Sequence, residues 1–227
     1  MSRMMKPLKA TIFDFDDTLV ATSVSRTEAL ISSAARFGFA IASTDIEKHR
    51  GKPFNLLISG IMPGIDYDAF LADYSQIMRR FSPMVLPGVS ALLSELKTLG
   101  IPVFIISSGS RELVLQDLEA TGLWHFVSRL WGCEDCLYHK PDPRTLDPVL
   151  SAVSELGILI DQTVYLGDST ADCLIASLRQ LPFCAVLTGC NRREVFRVMG
   201  LPEPLIVGSF EDLLQEGSWL QKRLQFK

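Results

Sequence analysis

The sequence has no excess of basic residues and no long apolar run. Its 22 lysines and arginines are outnumbered by 26 aspartates and glutamates, for a net charge of −4. A protein that tracks a phosphate backbone needs a basic surface, so nucleic acid is not expected as a partner. No stretch approaches the roughly 18 apolar residues of a membrane span, and residues 1–9 lack the apolar core of a signal peptide. We therefore expect a soluble, cytoplasmic protein.

Cysteines are few and odd in number. Five cysteines in 227 residues indicate a reducing compartment better than a disulfide framework. Cys133, Cys136 and His139 lie close enough in sequence to suggest a metal or redox site, but no further pair follows at zinc-like spacing. Buried cysteine commonly acts as a small apolar residue, so we favour an apolar packing role for these cysteines over a metal or redox site.

From residue 86 onward, apolar runs and helical patterns alternate. Strands are predicted over residues 101–106, 127–131, 162–166, 183–187 and 204–207, with helices between them, and one further strand is predicted earlier, over residues 10–13. Repeated strand–helix units predict a parallel sheet covered on both faces. The expected fold class is α/β, a doubly wound parallel sheet.

Residues 20–83 follow a different pattern. Apolar residues at helical spacing predict helices near residues 24–37, 54–61 and 67–81, and no alternating strand pattern is present. About 60 residues of helix exceed an ordinary crossover between two strands. The sequence therefore predicts an inserted all-helical subdomain at 20–83, and an α/β core formed by 1–19 and 84–227.

An acidic cluster follows the first predicted strand. Asp14, Asp16, Asp17 and Thr18 come directly after residues 10–13, in the sequence IFDFDDTL. Ligands of open α/β sheets bind beyond the carboxyl ends of the strands, where these carboxylates are expected. A hard cation with a phosphorylated substrate suits such a site, although an acidic turn or helix cap is the simpler alternative. Further candidates near later strand ends favour the site: Ser107, Lys140 and Asp168.

The order of these residues resembles the haloacid dehalogenase superfamily of phosphohydrolases. The matching motifs are Asp14-x-Asp16-x-Thr18, then Ser107, then Lys140-Pro141, then Gly167-Asp168-x-x-x-Asp172. The organisation is similar to that of phosphoglycolate-phosphatase-like members, and the helical insert resembles their small helical cap. Asp17 stands where many relatives carry glycine. Since aspartate tolerates unusual turn geometry, we treat it as a variant.

The resemblance implies a role for each matching residue. Asp14 is implied as the nucleophile that becomes an aspartyl-phosphate, Asp16 as the general acid and base, and Thr18 as the residue that orients Asp16. Ser107, Ser108 and Gly109 are implied to bind the phosphoryl oxygens. Lys140 is implied to offset negative charge.

The resemblance also implies a magnesium cofactor. The ion is expected on the Asp14 and Asp168 carboxylates and the backbone carbonyl of Asp16. Asp172 lies one helical turn beyond Asp168 and is implied as an auxiliary metal residue or as one that supports the ligands.

A basic cluster occurs within the helical insert, at residues 48–52. Arg50 and Lys52 are candidates for binding an anionic part of the substrate, because their position resembles the specificity segment of the family's caps. A solvated loop explains the same residues equally well.

The resemblance leaves several functions open. The leading hypothesis is a magnesium-dependent phosphatase that acts on a small phosphorylated metabolite. A 5′-nucleotidase and a sugar phosphomutase are alternatives within the family. Dehalogenation is disfavoured, because dehalogenases lack the second carboxylate, here Asp16. From another class, a signalling module would accept phosphate on aspartate without turnover. A serine nucleophile is disfavoured by the lack of a Gly-x-Ser-x-Gly motif. We expect a monomer or a homodimer.

Overall fold

The computed structural model describes residues 6–49 and 54–224. Within these ranges the strands, in chain order, are β1 Ala10–Phe13, β2 Val20–Ala21, β3 Met84–Val85, β4 Val103–Ile106, β5 Arg129–Trp131, β6 Thr163–Gly167, β7 Phe183–Val186 and β8 Ile206–Val207. The helices are α1 Ser23–Arg36, α2 Ser43–Glu47, α3 Phe54–Ile61, α4 Tyr67–Met78, α5 Val89–Thr98, α6 Arg111–Ala120, α7 Asp147–Glu155, α8 Thr170–Leu178, α9 Arg193–Val198, α10 Phe210–Leu214 and α11 Trp219–Leu224.

Six of these strands form one parallel sheet, in the order β5-β4-β1-β6-β7-β8. The chain adds β4 and β5 on one side of β1 and β6 to β8 on the other. Strand β1 is therefore central, and the direction of winding reverses beside it. The predicted doubly wound α/β sheet is confirmed.

Side chains of the central strand alternate between two apolar cores, as a pleated strand requires. Ala10 and Ile12 enter one core, while Phe13 enters the other. Both faces of a parallel sheet must be covered, which explains why its strands are apolar throughout. Helices α5, α6, α10 and α11 cover the Phe13 face, and α7, α8 and α9 cover the Ile12 face.

Helices α1 to α4 form the helical segment, residues 22–83, and share a third apolar cluster. Its members include Leu30 of α1, Ile58 of α3 and Phe70 and Tyr74 of α4, whose rings stack with centroids 6.1 Å apart. Leu113 of α6 belongs to the same cluster. The helical segment therefore has a core of its own and also packs on the sheet domain.

The helix beginnings follow ordinary capping chemistry. The Asp66 carboxylate accepts from the backbone N–H of Ala69 at 3.1 Å, at the start of α4. At the start of α8, Ser169 and Asp172 form a reciprocal capping box. These bonds satisfy backbone donors that the first helical turn leaves free.

The structure differs from the sequence prediction mainly in short elements. The insert was expected to be all-helical, but Val20–Ala21 pairs antiparallel with Met84–Val85 where the helical segment joins the sheet domain. Strands of two residues are too short to produce an alternating pattern. The five-residue helix Ser43–Glu47 was also not predicted, and two helices, α10 and α11, follow the last strand.

None of the helices in residues 6–49 and 54–224 is both long enough and apolar enough to span a membrane.

Two glycines with left-handed backbones provide a matched test of this packing. Gly88 and Gly38 have φ values of +82° and +81°, but a Cβ at Gly88 would lie 2.4 Å from the backbone nitrogen of Glu211, while one at Gly38 meets nothing within 4 Å. Gly38→Ala should lower the free energy of unfolding by about 1–2 kcal/mol, the cost of this conformation. Gly88→Ala should lower the free energy of unfolding by at least about 1 kcal/mol more than Gly38→Ala does, because its Cβ also overpacks the contact with α10. Chemical denaturation measures both, and equal losses would contradict the packing of Gly88 on α10.

Candidate functional site

The candidate residues after β1, β4 and β6 meet at one edge of the sheet. Asp14 follows β1, Ser107 follows β4 and Asp168 follows β6, and β1 lies between the other two strands. All three residues are buried. This edge is the topological switch point of the sheet, where open α/β folds form their sites.

A tight turn after β1 returns Asp16 to the same cavity as Asp14. The backbone N–H of Leu19 donates to the Phe15 carbonyl at 2.9 Å, and Asp17 adopts a left-handed φ of 56°. Aspartate is one of the few residues other than glycine that tolerates this conformation. Asp14 and Asp16 now both line one cavity.

Lys140 joins two buried carboxylates. Its Nζ lies 2.6 Å from Oδ1 of Asp14 and 2.6 Å from Oδ1 of Asp172. Burial lowers the pKa of Lys140, but the two carboxylates outweigh it and hold the pKa well above its ordinary value. The lysine is therefore a permanent positive charge beside Asp14.

Asp172 is fully buried, and both of its oxygens are engaged. Oδ1 also accepts from the Tyr165 hydroxyl, while Oδ2 accepts from the hydroxyl and, at 3.3 Å, the backbone N–H of Ser169. These partners hold Asp172 against Lys140. Its expected part in metal binding stays a prediction, and the contacts seen here position the lysine.

The negative charge at this edge exceeds the positive charge that faces it. Carboxylate oxygens of Asp14, Asp168 and Asp172 lie within 4.8 Å of one another, and Lys140 pairs with two of them. Burial raises the pKa of Asp14 to about 7. Burial, with the neighbouring Asp14 and Asp172, raises the pKa of Asp168 to about 8. One lysine does not offset three carboxylates, and a divalent cation bound by oxygen ligands fits this site.

Thr18 does not have the role expected of it. It was expected to orient Asp16, but its hydroxyl lies 3.3 Å from Oδ2 of Asp14 and 3.0 Å from Oδ1 of Asp168. The tight turn directs this side chain back to the edge of the sheet. Thr18 therefore links the two carboxylates that belong to different strands.

Asp16 is held instead by two residues that the sequence analysis missed. The Thr22 hydroxyl donates to Oδ1 of Asp16 at 2.8 Å, and Nη2 of Arg26 lies 2.6 Å from the same oxygen. Arg26 belongs to α1 and also lies 3.8 Å from Asp117 of α6. The available signal was an arginine at the seventh residue of the predicted insert, but nothing in its spacing indicated a contact with Asp16.

The loop after β4 surrounds the second oxygen of Asp16. The Ser107 hydroxyl lies 3.3 Å from Oδ2 of Asp16 and accepts from the Gly109 N–H at 2.9 Å. Ser108 and Gly109 line the cavity. A Cβ at Gly109 would lie 2.9 Å from the Arg26 guanidinium, so only glycine leaves this contact undisturbed.

The remaining candidates are the basic pair of the insert and the Cys133, Cys136 and His139 group. Arg50 and Lys52 lie outside the described residues. Cys133, Cys136 and His139 do not form a three-ligand group: within residues 6–49 and 54–224, the only such group is the aspartate trio. Burial raises the pKa of the Cys133 and Cys136 thiols to about 12 and about 11, which disfavours the reactive thiolate.

The cavity has a volume of about 220 Å³ and lies between the sheet edge and the helical segment. Its floor carries Asp14, Asp16, Asp168 and Lys140. The helical segment forms its wall with the side chains of Leu30, Ile46, Phe54, Leu57 and Tyr74 and with the polar residues Thr22, Ser23, Arg26 and Thr27. The cavity therefore has a charged base and a wall that is apolar except where Thr22 and the start of α1 line it.

Comparison with known proteins identifies relatives along almost the whole chain. Residues 11–186 match the model of the haloacid dehalogenase-like hydrolases. The phosphoglycolate phosphatase of Rhodospirillum rubrum is 26% identical over an alignment of 227 positions, and this alignment covers 93% of this chain and 90% of that protein.

Solved structures share the fold. A hydrolase from Pseudomonas syringae superimposes with a TM-score of 0.74 at 24% identity, covering 92% of this chain and 97% of that one. A β-phosphoglucomutase from Clostridium difficile superimposes with a TM-score of 0.73 at 17% identity, covering 96% and 97%. At these identities the likeness concerns the fold.

Tyr165→Phe tests the network around Asp172. It removes the hydroxyl that donates to the buried Asp172 carboxylate, and should lower the free energy of unfolding by about 1.5–3 kcal/mol, the value of a hydrogen bond to a charged group. Tyr138→Phe is the matched control. It keeps the ring that packs 3.6 Å from Arg144, and should change stability by less than about 0.5 kcal/mol. Denaturant titration that finds no difference between the two variants would contradict the network.

Proposed function

Because the chain belongs to the haloacid dehalogenase-like hydrolase family, we propose that it is a phosphatase that hydrolyses a small phosphate monoester through a phosphorylated Asp14. The observation that carries the proposal is the Asp14 carboxylate, held 2.6 Å from Lys140 in the cavity that Asp16 also lines. This combination supplies a nucleophile, a fixed positive charge and a proton carrier. Phosphatase relatives, among them the phosphoglycolate phosphatase of Rhodospirillum rubrum, support the same reaction class.

In the first half of the proposed reaction, an Asp14 carboxylate oxygen attacks the phosphorus atom. The bond from phosphorus to the ester oxygen breaks, and the departing oxygen takes a proton from Oδ2 of Asp16. We assign the proton to Oδ2 because Oδ1 is engaged by Thr22 and Arg26. The products are an alcohol and an aspartyl-phosphate.

In the second half, water attacks the phosphorus atom of the aspartyl-phosphate. Asp16 takes the proton of that water, and the bond from phosphorus to Asp14 breaks, so inorganic phosphate leaves and both carboxylates return to their starting states. Thr22 and Arg26 keep Asp16 beside the reacting atoms through both halves.

Magnesium is the cofactor that best fits the residues present. Asp14, Asp168 and the backbone carbonyl of Asp16 would hold it, and the excess of buried carboxylates at this edge supports a divalent cation. When bound, Mg²⁺ supplies positive charge that lessens repulsion between the Asp14 carboxylate and the phosphoryl oxygens.

The chain's own groups are proposed to bind the rest of the phosphoryl charge. Lys140 is a permanent cation next to Asp14, and Asp172 fixes its position. Ser108 and Gly109 also line the cavity, where a backbone N–H can donate to a phosphoryl oxygen. The Ser107 hydroxyl, which lies 3.3 Å from Oδ2 of Asp16, is proposed to bind a phosphoryl oxygen.

We propose that residues 20–83 act as a cap over a core formed by 1–19 and 84–227. The separate apolar cluster of α1 to α4 and the cavity beneath it support this division. A cap that excludes water favours turnover of a bound substrate over a phosphate-accepting signalling role. The cytoplasmic location and a monomeric or dimeric state remain predictions.

Asp14→Asn tests the nucleophile. In steady-state release of phosphate from p-nitrophenyl phosphate with Mg²⁺, kcat should fall by at least about a thousand-fold, because the amide does not form the phosphorylated intermediate. Asp68→Asn, which changes an exposed carboxylate on α4, serves as the control and should keep full activity. Substantial turnover by Asp14→Asn would contradict the assignment, and phosphate bound to Asp14 of the unaltered protein without release would favour the signalling module.

A further inference from the structure

The wall of the cavity indicates which alcohol portion of a phosphate ester the site accepts, whereas the floor faces only the phosphoryl group. Four of the wall's side chains are aliphatic or aromatic hydrocarbons, and Tyr74 adds a buried phenol whose pKa burial raises to about 12. The four hydrocarbon side chains are Leu30, Ile46, Phe54 and Leu57. A phosphoryl group on the floor places the remainder of its ester against this wall.

Two polar residues of the described wall, Thr22 and Ser23, already donate to carboxylates of the protein. The Thr22 hydroxyl donates to Asp16, and the Ser23 hydroxyl and backbone N–H donate to Asp17. Thr27 and the Tyr74 phenol also line the cavity and can serve one oxygen of an ester, but not the several hydroxyls of a sugar. A buried hydroxyl that loses water without gaining a partner weakens binding.

Arg26 is the cation of the described wall, and it already faces two carboxylates. Its guanidinium lies 2.6 Å from Asp16 and 3.8 Å from Asp117, so two carboxylates already face one positive charge. An anionic leaving group would add a third negative charge beside them.

The size of the cavity limits the ester further. A dry apolar cavity of about 150 Å³ accepts benzene, whereas pockets for drug-sized ligands begin at about 300 Å³. At about 220 Å³, this cavity suits a phosphoryl group with a short chain or a single ring.

We propose that the preferred substrates are phosphate monoesters of uncharged, apolar alcohols or phenols. The inference rests on the proposed phosphatase function and names the substrate class of the same site. Binding then gains from the apolar area that each carbon of the alcohol buries against Leu30, Phe54 and Leu57.

Two matched pairs of esters test this class by kcat/KM with the magnesium-loaded enzyme. Propyl phosphate and glycerol 1-phosphate share a three-carbon chain, and ethyl phosphate and phosphoglycolate share a two-carbon chain. The apolar member of each pair should be preferred at least ten-fold, since its partner leaves buried hydroxyls or a carboxylate unpaired. From ethyl to butyl phosphate, kcat/KM should rise by about four-fold per methylene group until the cavity is filled.

The outcomes separate this inference from the function on which it rests. A preference for glycerol 1-phosphate or phosphoglycolate would overturn the inference and leave the phosphatase intact. Preference for phosphoglycolate alone would indicate that Arg50 or Lys52 contributes a cation to the cavity. Failure to hydrolyse every ester, p-nitrophenyl phosphate included, would overturn the phosphatase proposal and this inference with it.

Two neighbouring leucines of α3 provide matched variants. Leu57 is 9% exposed and lines the cavity, whereas Leu56 is 53% exposed on the outer side of the helix. Leu57→Gln should lower the ratio of kcat/KM for propyl phosphate to that for glycerol 1-phosphate at least five-fold, and Leu56→Gln should leave it unchanged. If Leu57→Gln lowers thermal stability enough to prevent the assay, Ile46→Thr on α2 tests the same wall. An unchanged ratio in the folded wall variants would contradict the inference.

Discussion

The site depends on one buried ion-pair array, in which Lys140 lies 2.6 Å from both Asp14 and Asp172. Buried charges are costly unless they are paired and hydrogen-bonded. Tyr165 and Ser169 satisfy Asp172, and Thr18 lies between Asp14 and Asp168. The array still carries more negative than positive charge. The excess negative charge suits the binding of a cation at the edge of the sheet, beside the carboxylate of Asp14 that is proposed as the nucleophile.

Both the order of the strands in the sheet and the local turn after β1 bring the residues of this array together. Reversal of the winding beside β1 places the loops after β1, β4 and β6 at one edge, so residues up to 154 positions apart, such as Asp14 and Asp168, become neighbours. Locally, the left-handed Asp17 returns Asp16 to the cavity. The helical segment adds Thr22 and Arg26, which hold Asp16 from the opposite side.

Much of this arrangement could be predicted because it depends on strand ends. The apolar runs located the strands of the sheet, and in a parallel sheet the residues after them must meet, which correctly placed Asp14, Ser107 and Asp168 together. What the sequence could not supply is the direction of a side chain after a turn. Thr18 was assigned to Asp16 but lies between Asp14 and Asp168. The contact between Arg26 and Asp16 depends on how α1 packs, and β2 and β3 are too short to leave a pattern.

The contrast between floor and wall summarises the proposed chemistry. In the proposed reaction, charged residues from the sheet edge act on the phosphoryl group, and the apolar residues of α1 to α4 that line the cavity select the alcohol that leaves. The two parts come from separate stretches of chain, so the alcohol that is accepted can change without altering the charged array.

The central claim is that the buried carboxylates require a divalent cation, and calorimetric titration of the metal-free protein with Mg²⁺ tests it most directly. We predict one bound Mg²⁺ per chain in the unaltered protein. Asp168→Asn, which removes one carboxylate of the trio, should lose this binding, while the exposed-site variant Asp68→Asn should keep it. Undetectable Mg²⁺ binding by the unaltered protein, or equal affinity in Asp168→Asn, would contradict the account.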